Sequence, residues 1–365
     1  MEKNERLKSL DAFRGFDMCF IMGMGGLITA ICALFPQNGV TDWLAGQMEH
    51  VQWHGLAIED MIFPTFLFIA GISFPFSIAN QKAHGKTTGQ IYGKIVRRGL
   101  VLVLLGAIYN GLLRLNFPDV RFASVLGRIG LAWMFAALLY VTFKTRVNIA
   151  VSVVILVGYW LLMWLVPHSS DPYSFDDNLV GAIDRVILPG RLHEKTFDPE
   201  GLFSTIPAIV TALLGMFTGQ FVKLSSEKFS GDRKTLYMTI AGVALIIIGF
   251  AWSCAFPINK KLWTSTFVCA VAGISLVVFA LFYYIIDVKG SSRWSFFFRV
   301  VGMNSITIYL AQSIIGFNHA NNFIFKGIAD KLPEAWGHLV LAAGYFAICW
   351  LFLYFLYKKK VFLKV

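Results

Sequence analysis

The chain carries little charge and few cysteines for its length. Only 15% of its 365 residues are charged, whereas 57% are hydrophobic, and the mean hydropathy is +0.65. This composition excludes an ordinary soluble globular protein and indicates the lipid bilayer as the solvent. The five cysteines form no CxxC pair, and four of them lie in apolar runs, which is typical of small core residues rather than of a disulfide framework.

The positive net charge does not indicate a nucleic-acid partner. The formal charge is +11, but no motif that combines basic and aromatic residues accompanies it. In a protein with many spans, such an excess usually belongs to cytoplasmic loops. We therefore expect the lipid bilayer, and no nucleic acid, as a partner.

Apolar segments of about 20 residues, long enough to span a bilayer, recur along the whole chain. They predict an all-α polytopic membrane protein with about ten transmembrane helices and both termini cytoplasmic. We treat residues 1–365 as a single transmembrane domain. The first span is too long for the apolar region of a signal peptide and has no small-residue cleavage site, so we expect it to be retained. The predicted spans are 13–35, 58–80, 97–115, 124–143, 147–166, 203–222, 235–256, 262–287, 296–316 and 337–357.

Lysine and arginine predict the orientation. Most of the 32 basic residues fall on the side of the N-terminus, among them Lys3, Arg6, Lys223 and Lys364. The positive-inside rule makes that side cytoplasmic in a multi-pass membrane protein. The histidines fall on the other, outer side, except for His84. These outer histidines are His50, His54, His168, His193, His319 and His338.

Titratable residues are concentrated where the second predicted span begins, in residues 47–76. His50 and His54 are four residues apart, a spacing that places both on one face of a helix and also occurs in metal sites. No HExxH motif or cysteine supplies further ligands, so we expect no metal. Interfacial hydrogen bonding is the alternative for each histidine alone. Glu59 and Asp60 follow, and Pro64, Gly71 and Pro75 predict breaks in the helix.

Two arginines lie inside or beside predicted spans, where an ionisable group is costly unless it is paired or faces a polar cavity. Arg14 follows Asp11 by three residues, which permits a local ion pair, whereas a cavity position would let it bind a phosphate. Arg128 has no carboxylate within one helical turn. Its partner must come from another helix, from a ligand or from the interface by snorkelling.

Two further polar patches are ambiguous. Glu200 follows Asp198 and Pro199, a pattern typical of a helix N-terminus. Asn304, Ser305 and Gln312 place amides and a hydroxyl in an apolar segment, where hydrogen bonding between helices is the plain alternative to ligand binding.

Several blocks of the chain occur in this order in one family, and together they cover nearly its whole length. The chain resembles a bacterial-type member of the heparan-alpha-glucosaminide N-acetyltransferase family. The opening block alone also resembles other membrane acyltransferases. The blocks are RLKSLDAFRG, EHVQWHGLAIEDMIFPTFLFIAGIS, LGRIG, FDPEGLFSTIPAIVTALLG, PINKKLWTSTFV, DVKG and GMNSITIYL.

The resemblance implies that acetyl-CoA from the cytoplasmic side acetylates the amine of a glucosamine on the opposite side. It aligns His50 with the family's active histidine, in a pattern similar to Lys-His-Ala-x-Trp-Asn-Gly-Leu. Here Glu49 replaces the lysine and His54 replaces the asparagine. The segment FIMGMGG also lacks an asparagine that the family has late in the first helix. These departures bear on the identity of the acceptor more than on the reaction.

On this resemblance, His50 and Asp60 are the expected catalytic residues, with Asp60 orienting the imidazole or the substrate amine, or else capping its helix. Acetyl-CoA is the expected co-substrate. Direct transfer and an acetyl-histidine intermediate both remain open. The residues expected to bind acetyl-CoA are Arg14, Arg128, Asn304 and Ser305, and those expected to bind the amino sugar are Trp53, His54 and Glu200.

Other functions stay open on the sequence alone. The opening block permits O-acetylation of an envelope polysaccharide. A transporter of amino sugars would show inverted repeats with matching broken helices, and none is evident. A scaffold protein would leave the outer histidines and acids unexplained. The sequence leaves the oligomeric state undecided, and a homodimer is one possibility.

Overall fold

The fold was analysed in a computed structural model that describes residues 7–166, 171–225 and 227–363. Within these ranges the regular elements are helices, and Arg121 and Gly190 form an isolated bridge, which confirms the all-α prediction. Lys3, Arg6, His168 and Lys364 lie outside the described residues. The helices are α1 Lys8–Cys32, α2 Gly39–Gly46, α3 Ile58–Ala83, α4 Thr88–Tyr109, α5 Val125–Thr142, α6 Thr145–Leu165, α7 Leu179–Ile187, α8 Thr205–Val222, α9 Gly231–Trp252, α10 Ser265–Val288, α11 Phe296–Gly302, α12 Ser305–Ile314, α13 Phe317–Ala329 and α14 Glu334–Lys358.

Eight helices in the described ranges are long and apolar enough to cross a membrane, namely α1, α3, α5, α6, α8, α9, α10 and α14. The protein is therefore a multi-pass membrane protein. The other two predicted spans correspond to α4, whose first half carries Lys94, Arg97 and Arg98, and to the pair α11–α12. That these two also cross, and that both termini are cytoplasmic, stays a prediction, as does the assignment of residues 1–365 to one domain.

The predicted breaks at Pro64, Gly71 and Pro75 are wrong, because α3 runs through all three as one helix of 26 residues. In many membrane helices, groups from neighbouring helices bond to the backbone carbonyls that lose their partner at a proline. The irregular backbone lies elsewhere. A π-helical turn interrupts α1 at Phe20–Met24, where Gly23 adopts a φ of 105°, and Met303 and Asn304 separate α11 from α12.

Helix α3 crosses α8 at closely packed glycines. A Cβ atom built on Gly215 would overlap the carbonyl oxygen of Phe68, and one built on Gly71 would overlap that of Ala212. Small residues at such crossings let two helix backbones approach. The crossing fixes α3, whose first turn carries Asp60, against α8. Helix α8 follows the FDPEG segment, residues 197–201.

Gly215→Ala is expected to destabilise the folded protein by about 1–3 kcal/mol, because the added methyl group forces the two backbones apart. Thermal unfolding in detergent measures the effect. Gly158→Ala in α6 is the matched control, since its Cβ would meet no atom within 4 Å, and it should unfold at or slightly above the wild-type temperature. Equal unfolding temperatures for the two variants would contradict this account of the crossing.

Candidate active site

A cavity of about 410 Å³, the histidine chamber, is lined by His50, Trp53, Asp60, Arg121, Glu200 and Lys260 together with neighbouring residues. All of these come from segments that the sequence places on the periplasmic side or at the adjoining helix ends. The chamber therefore joins the start of α3, the segment before α5, the FDPEG segment and the loop between α9 and α10.

His50 and Asp60 form a pair at this chamber. His50 Nδ1 lies 2.9 Å from Asp60 Oδ1, and the histidine side chain is 57% exposed whereas the aspartate side chain is 2% exposed. The N–H groups of Val51 and Ala57 each donate to Asp60 Oδ2 at 3.2 Å. Asp60 thus caps α3 and contacts the imidazole of His50, an arrangement compatible with either role expected for it.

The loop that carries His50 is fixed by backbone contacts with the segment after α9. Gly55 adopts a φ of 133°, a conformation that residues with a Cβ rarely take, and its N–H donates to the carbonyl of Ile258 at 2.9 Å. This contact places Lys260, two residues further on, beside the His50–Asp60 pair. Lys260 Nζ lies 3.4 Å from Asp60 Oδ1 and 3.2 Å from His50 Nδ1.

A cluster of charges forms another wall of the histidine chamber. Arg121 donates to both carboxylate oxygens of Asp198, at 2.7 and 2.6 Å, and also contacts the carboxylate of Glu200. Burial would raise the pKa of Asp198, but the hydrogen bonds and charge of Arg121 outweigh it and keep that pKa below its ordinary value. Arg121 therefore holds Glu200 in place at the chamber wall while it also pairs with the ionised carboxylate of Asp198.

A second cavity, the arginine chamber, has a volume of about 480 Å³ and is lined by Arg14, Ser73, Arg98, Trp133 and Ser305 among others. Its described lining residues include two arginines and no carboxylate. Arg14 donates to Ser73 Oγ at 2.7 Å and lies 3.7 Å from Asp11. The Arg98 guanidinium lies 4.4 Å above the Trp133 ring, and its Nε has no hydrogen-bond partner within the described ranges.

A narrow apolar cavity of about 30 Å³ lies between the two chambers. It shares Val125 with the histidine chamber and Phe66, Leu126, Ile129, Ser305 and Ile306 with the arginine chamber. Its other lining residues are Met18, Ile21, Phe63 and Tyr309. The shared lining residues place the small cavity next to both chambers within the helix bundle.

The remaining residues predicted to bind substrate take different positions. Trp53 lines the histidine chamber, and its indole N–H donates to the carbonyl of Tyr173 at 2.9 Å. His54 is not among the residues that line this chamber. Its Nδ1 faces the side-chain amide of Asn259 at 3.2 Å, and burial lowers its pKa.

Arg128 and Asn304 contact protein groups rather than a chamber. Arg128 is 1% exposed, donates to the carbonyl of Gly201 at 3.2 Å and lies 4.9 Å from the Trp263 ring. Asn304 donates to the carbonyl of Val361 at 3.1 Å. These contacts favour structural roles for both residues. Within the described ranges, no group of three His, Cys, Asp or Glu side chains is placed to bind a metal ion.

Sequence reasoning missed five charged residues that line the chambers, namely Arg98, Arg121, Glu194, Lys260 and Lys261. The sequence did contain a signal for Lys260, because Lys260 and Lys261 lie in the block PINKKLWTSTFV, one of those that resemble the family. The contact of Arg98 with Trp133 and the pairing of Arg121 with Asp198 join segments that are distant in the chain.

Comparison with known proteins identifies close similarities along the chain. The family model described as "Heparan-alpha-glucosaminide N-acetyltransferase, catalytic" matches residues 6–249. The curated heparan-alpha-glucosaminide N-acetyltransferases of Homo sapiens and Mus musculus are 27% and 26% identical to the chain, and each alignment covers 99% of the chain. The chain spans 60% of the length of each of these relatives.

Proposed function

Because the chain belongs to the heparan-alpha-glucosaminide N-acetyltransferase family, we propose that it transfers an acetyl group from acetyl-CoA to the amine of glucosamine or a terminal glucosaminide. The donor binds with its charged end in the arginine chamber, and the acceptor binds in the histidine chamber. The observation that carries the proposal is the narrow apolar cavity between a chamber with two arginines and a chamber with a His–Asp pair.

The residues of the arginine chamber suit the charged part of acetyl-CoA. Its phosphates carry several negative charges, and guanidinium groups bind phosphate through charge-assisted hydrogen bonds. Arg14 and Arg98 offer such donors, and no described carboxylate is among the residues that line the chamber. The pantetheine arm extends from there along Phe66, Leu126 and Ile129, the apolar residues that the arginine chamber shares with the small cavity.

The histidine chamber supplies the groups that activate an amine. A glucosamine ammonium must lose a proton before it attacks a thioester, and a neutral imidazole accepts protons near pH 7. When Nδ1–H of His50 donates to Asp60, the lone pair of Nε2 is free to take that proton. Trp53 offers an apolar ring surface, and Glu200 offers a carboxylate for the sugar hydroxyls.

The orientation rests on the distribution of lysine and arginine. The arginine chamber lies beside segments that the positive-inside rule places in the cytoplasm, where acetyl-CoA is made. The histidine chamber then opens to the periplasm of a bacterial inner membrane. The acetyl group crosses the bilayer, while the nucleotide stays on the cytoplasmic side.

Purified protein incubated with acetyl-labelled acetyl-CoA and glucosamine is expected to form N-acetylglucosamine. Mass spectrometry with mild alkaline hydrolysis distinguishes the products, since an amide survives and an ester is cleaved. An ester product would replace the proposal by O-acetylation of a polysaccharide. Uptake of glucosamine into proteoliposomes without any acetyl-CoA would instead indicate a transporter.

A further inference from the structure

Lys260 lies against the His50–Asp60 pair but has no part in the acetyl transfer described above. Its Nζ is 3.2 Å from His50 Nδ1 and 3.4 Å from Asp60 Oδ1, and its side chain is 20% exposed. Burial lowers the pKa of Lys260, and the carboxylate of Asp60 opposes that effect. A partly buried cation in contact with both residues adds a positive charge next to the carboxylate and the imidazole.

We propose that Lys260 keeps His50 neutral by compensating the charge of Asp60, and so sets the pH range in which His50 accepts a proton. This inference rests on the proposed role of His50 as a base. It makes Lys260 a positioning residue that acts through the imidazole.

Two opposite charges, on Asp60 and Lys260, lie beside the ring of His50. A carboxylate within about 4–6 Å favours the protonated imidazole, and a cation at a similar distance disfavours it. Asp60 alone would stabilise a positive charge on the ring and so leave less of the imidazole neutral and able to act as a base. The ammonium of Lys260 counters that tendency while leaving Asp60 able to orient the ring.

For a neutral His50 ring, the hydrogen-bond geometry favours one tautomer. An ammonium is only a donor, so Lys260 and the Nδ1–H of His50 cannot donate to each other. Both can donate to Asp60, whose Oδ1 lies within 3.4 Å of Lys260 Nζ and 2.9 Å of His50 Nδ1. Asp60 then accepts from both, and Nε2 carries the free lone pair.

Two other cations at the chamber are already paired. Lys261 donates to Glu194 at 2.7 Å, and Arg121 is engaged by Asp198 and Glu200. The remaining titratable groups are Glu49, which adjoins His50 in the chain, Glu59, whose carboxylate interacts electrostatically with both His50 and Lys260, and His193 across the chamber. Lys260 is therefore the cation in direct contact with the pair among the described residues.

The test measures the protonation of His50 without relying on acetyl transfer. Diethyl pyrocarbonate modifies neutral imidazole, and mass spectrometry of the His50 peptide reports the extent of modification as a function of pH. The exposed ring of His50 is accessible to the reagent. Lys260→Gln is expected to raise the midpoint of this titration by about one pH unit.

The charge-preserving variant Lys260→Arg should leave the midpoint in place, and so should Lys261→Gln, the matched control one residue away. At pH values below both midpoints, acetyl transfer by Lys260→Gln should fall about tenfold, and the loss should disappear at alkaline pH. Lys260→Met provides a second charge-removing variant if Lys260→Gln does not fold. An unchanged midpoint in a folded charge-removing variant overturns the inference, whereas a shifted midpoint without acetyl transfer would overturn only the proposed function.

Discussion

His50→Ala is expected to lower kcat/KM for acetyl transfer to glucosamine by a factor of about 10²–10⁴, the range that a general base contributes. The variant loses the imidazole that takes the acceptor's proton, while the arginine chamber is unchanged. Acetyl-CoA should therefore still raise its thermal unfolding temperature. The rate of N-acetylglucosamine formation, measured alongside this thermal shift, separates lost chemistry from lost binding.

His54→Ala provides the comparison, because the two histidines are four residues apart but only His50 lines the histidine chamber. His54 contacts Asn259 instead. We expect His54→Ala to lose less than about tenfold in kcat/KM, mainly through a weaker fit of the acceptor. Transfer by His50→Ala at the wild-type rate would exclude His50 as the base.

Arg98→Gln is expected to weaken acetyl-CoA binding about 10- to 100-fold. Loss of a hydrogen bond to a charged group costs about 1.5–3 kcal/mol, and 1.4 kcal/mol corresponds to a factor of ten. Binding of acetyl-pantetheine, which lacks the nucleotide, should change little. Isothermal titration with both ligands measures the difference.

Arg97→Gln is the matched control, because Arg97 adjoins Arg98 but is exposed and does not line the arginine chamber. Its affinity for both ligands should equal that of the wild type. An equal loss of acetyl-pantetheine binding in Arg98→Gln would indicate a general disturbance of the chamber. An unchanged affinity for acetyl-CoA would remove Arg98 from the proposed donor site.

Hydropathy predicted the helices well because a bilayer requires about 20 apolar residues for each span. It predicted their irregular points poorly. Pro64 and Pro75 lie within a continuous helix, whereas the observed irregularities are at Gly23 and at Met303–Asn304. Whether a proline breaks a membrane helix depends on neighbouring groups that satisfy the backbone, and these come from other helices.

The predicted site residues divide according to where their partners lie. His50 and Asp60 are ten residues apart around one helix start, so the chain itself brings them together. Arg128 is different, because its partners Gly201 and Ser204 are more than 70 residues away along the chain. The positions of Arg98 and Lys260 at the chambers were likewise missed, since only the packed helices show what surrounds a charged side chain.

The central claim is that donor and acceptor reach one site from opposite sides of the membrane. Sealed proteoliposomes test it with acetyl-labelled acetyl-CoA inside and glucosamine outside, so that neither substrate shares a compartment with the other. We expect labelled N-acetylglucosamine outside the vesicles while CoA remains inside. Absence of product in this arrangement, from protein that is active in detergent, would contradict the account.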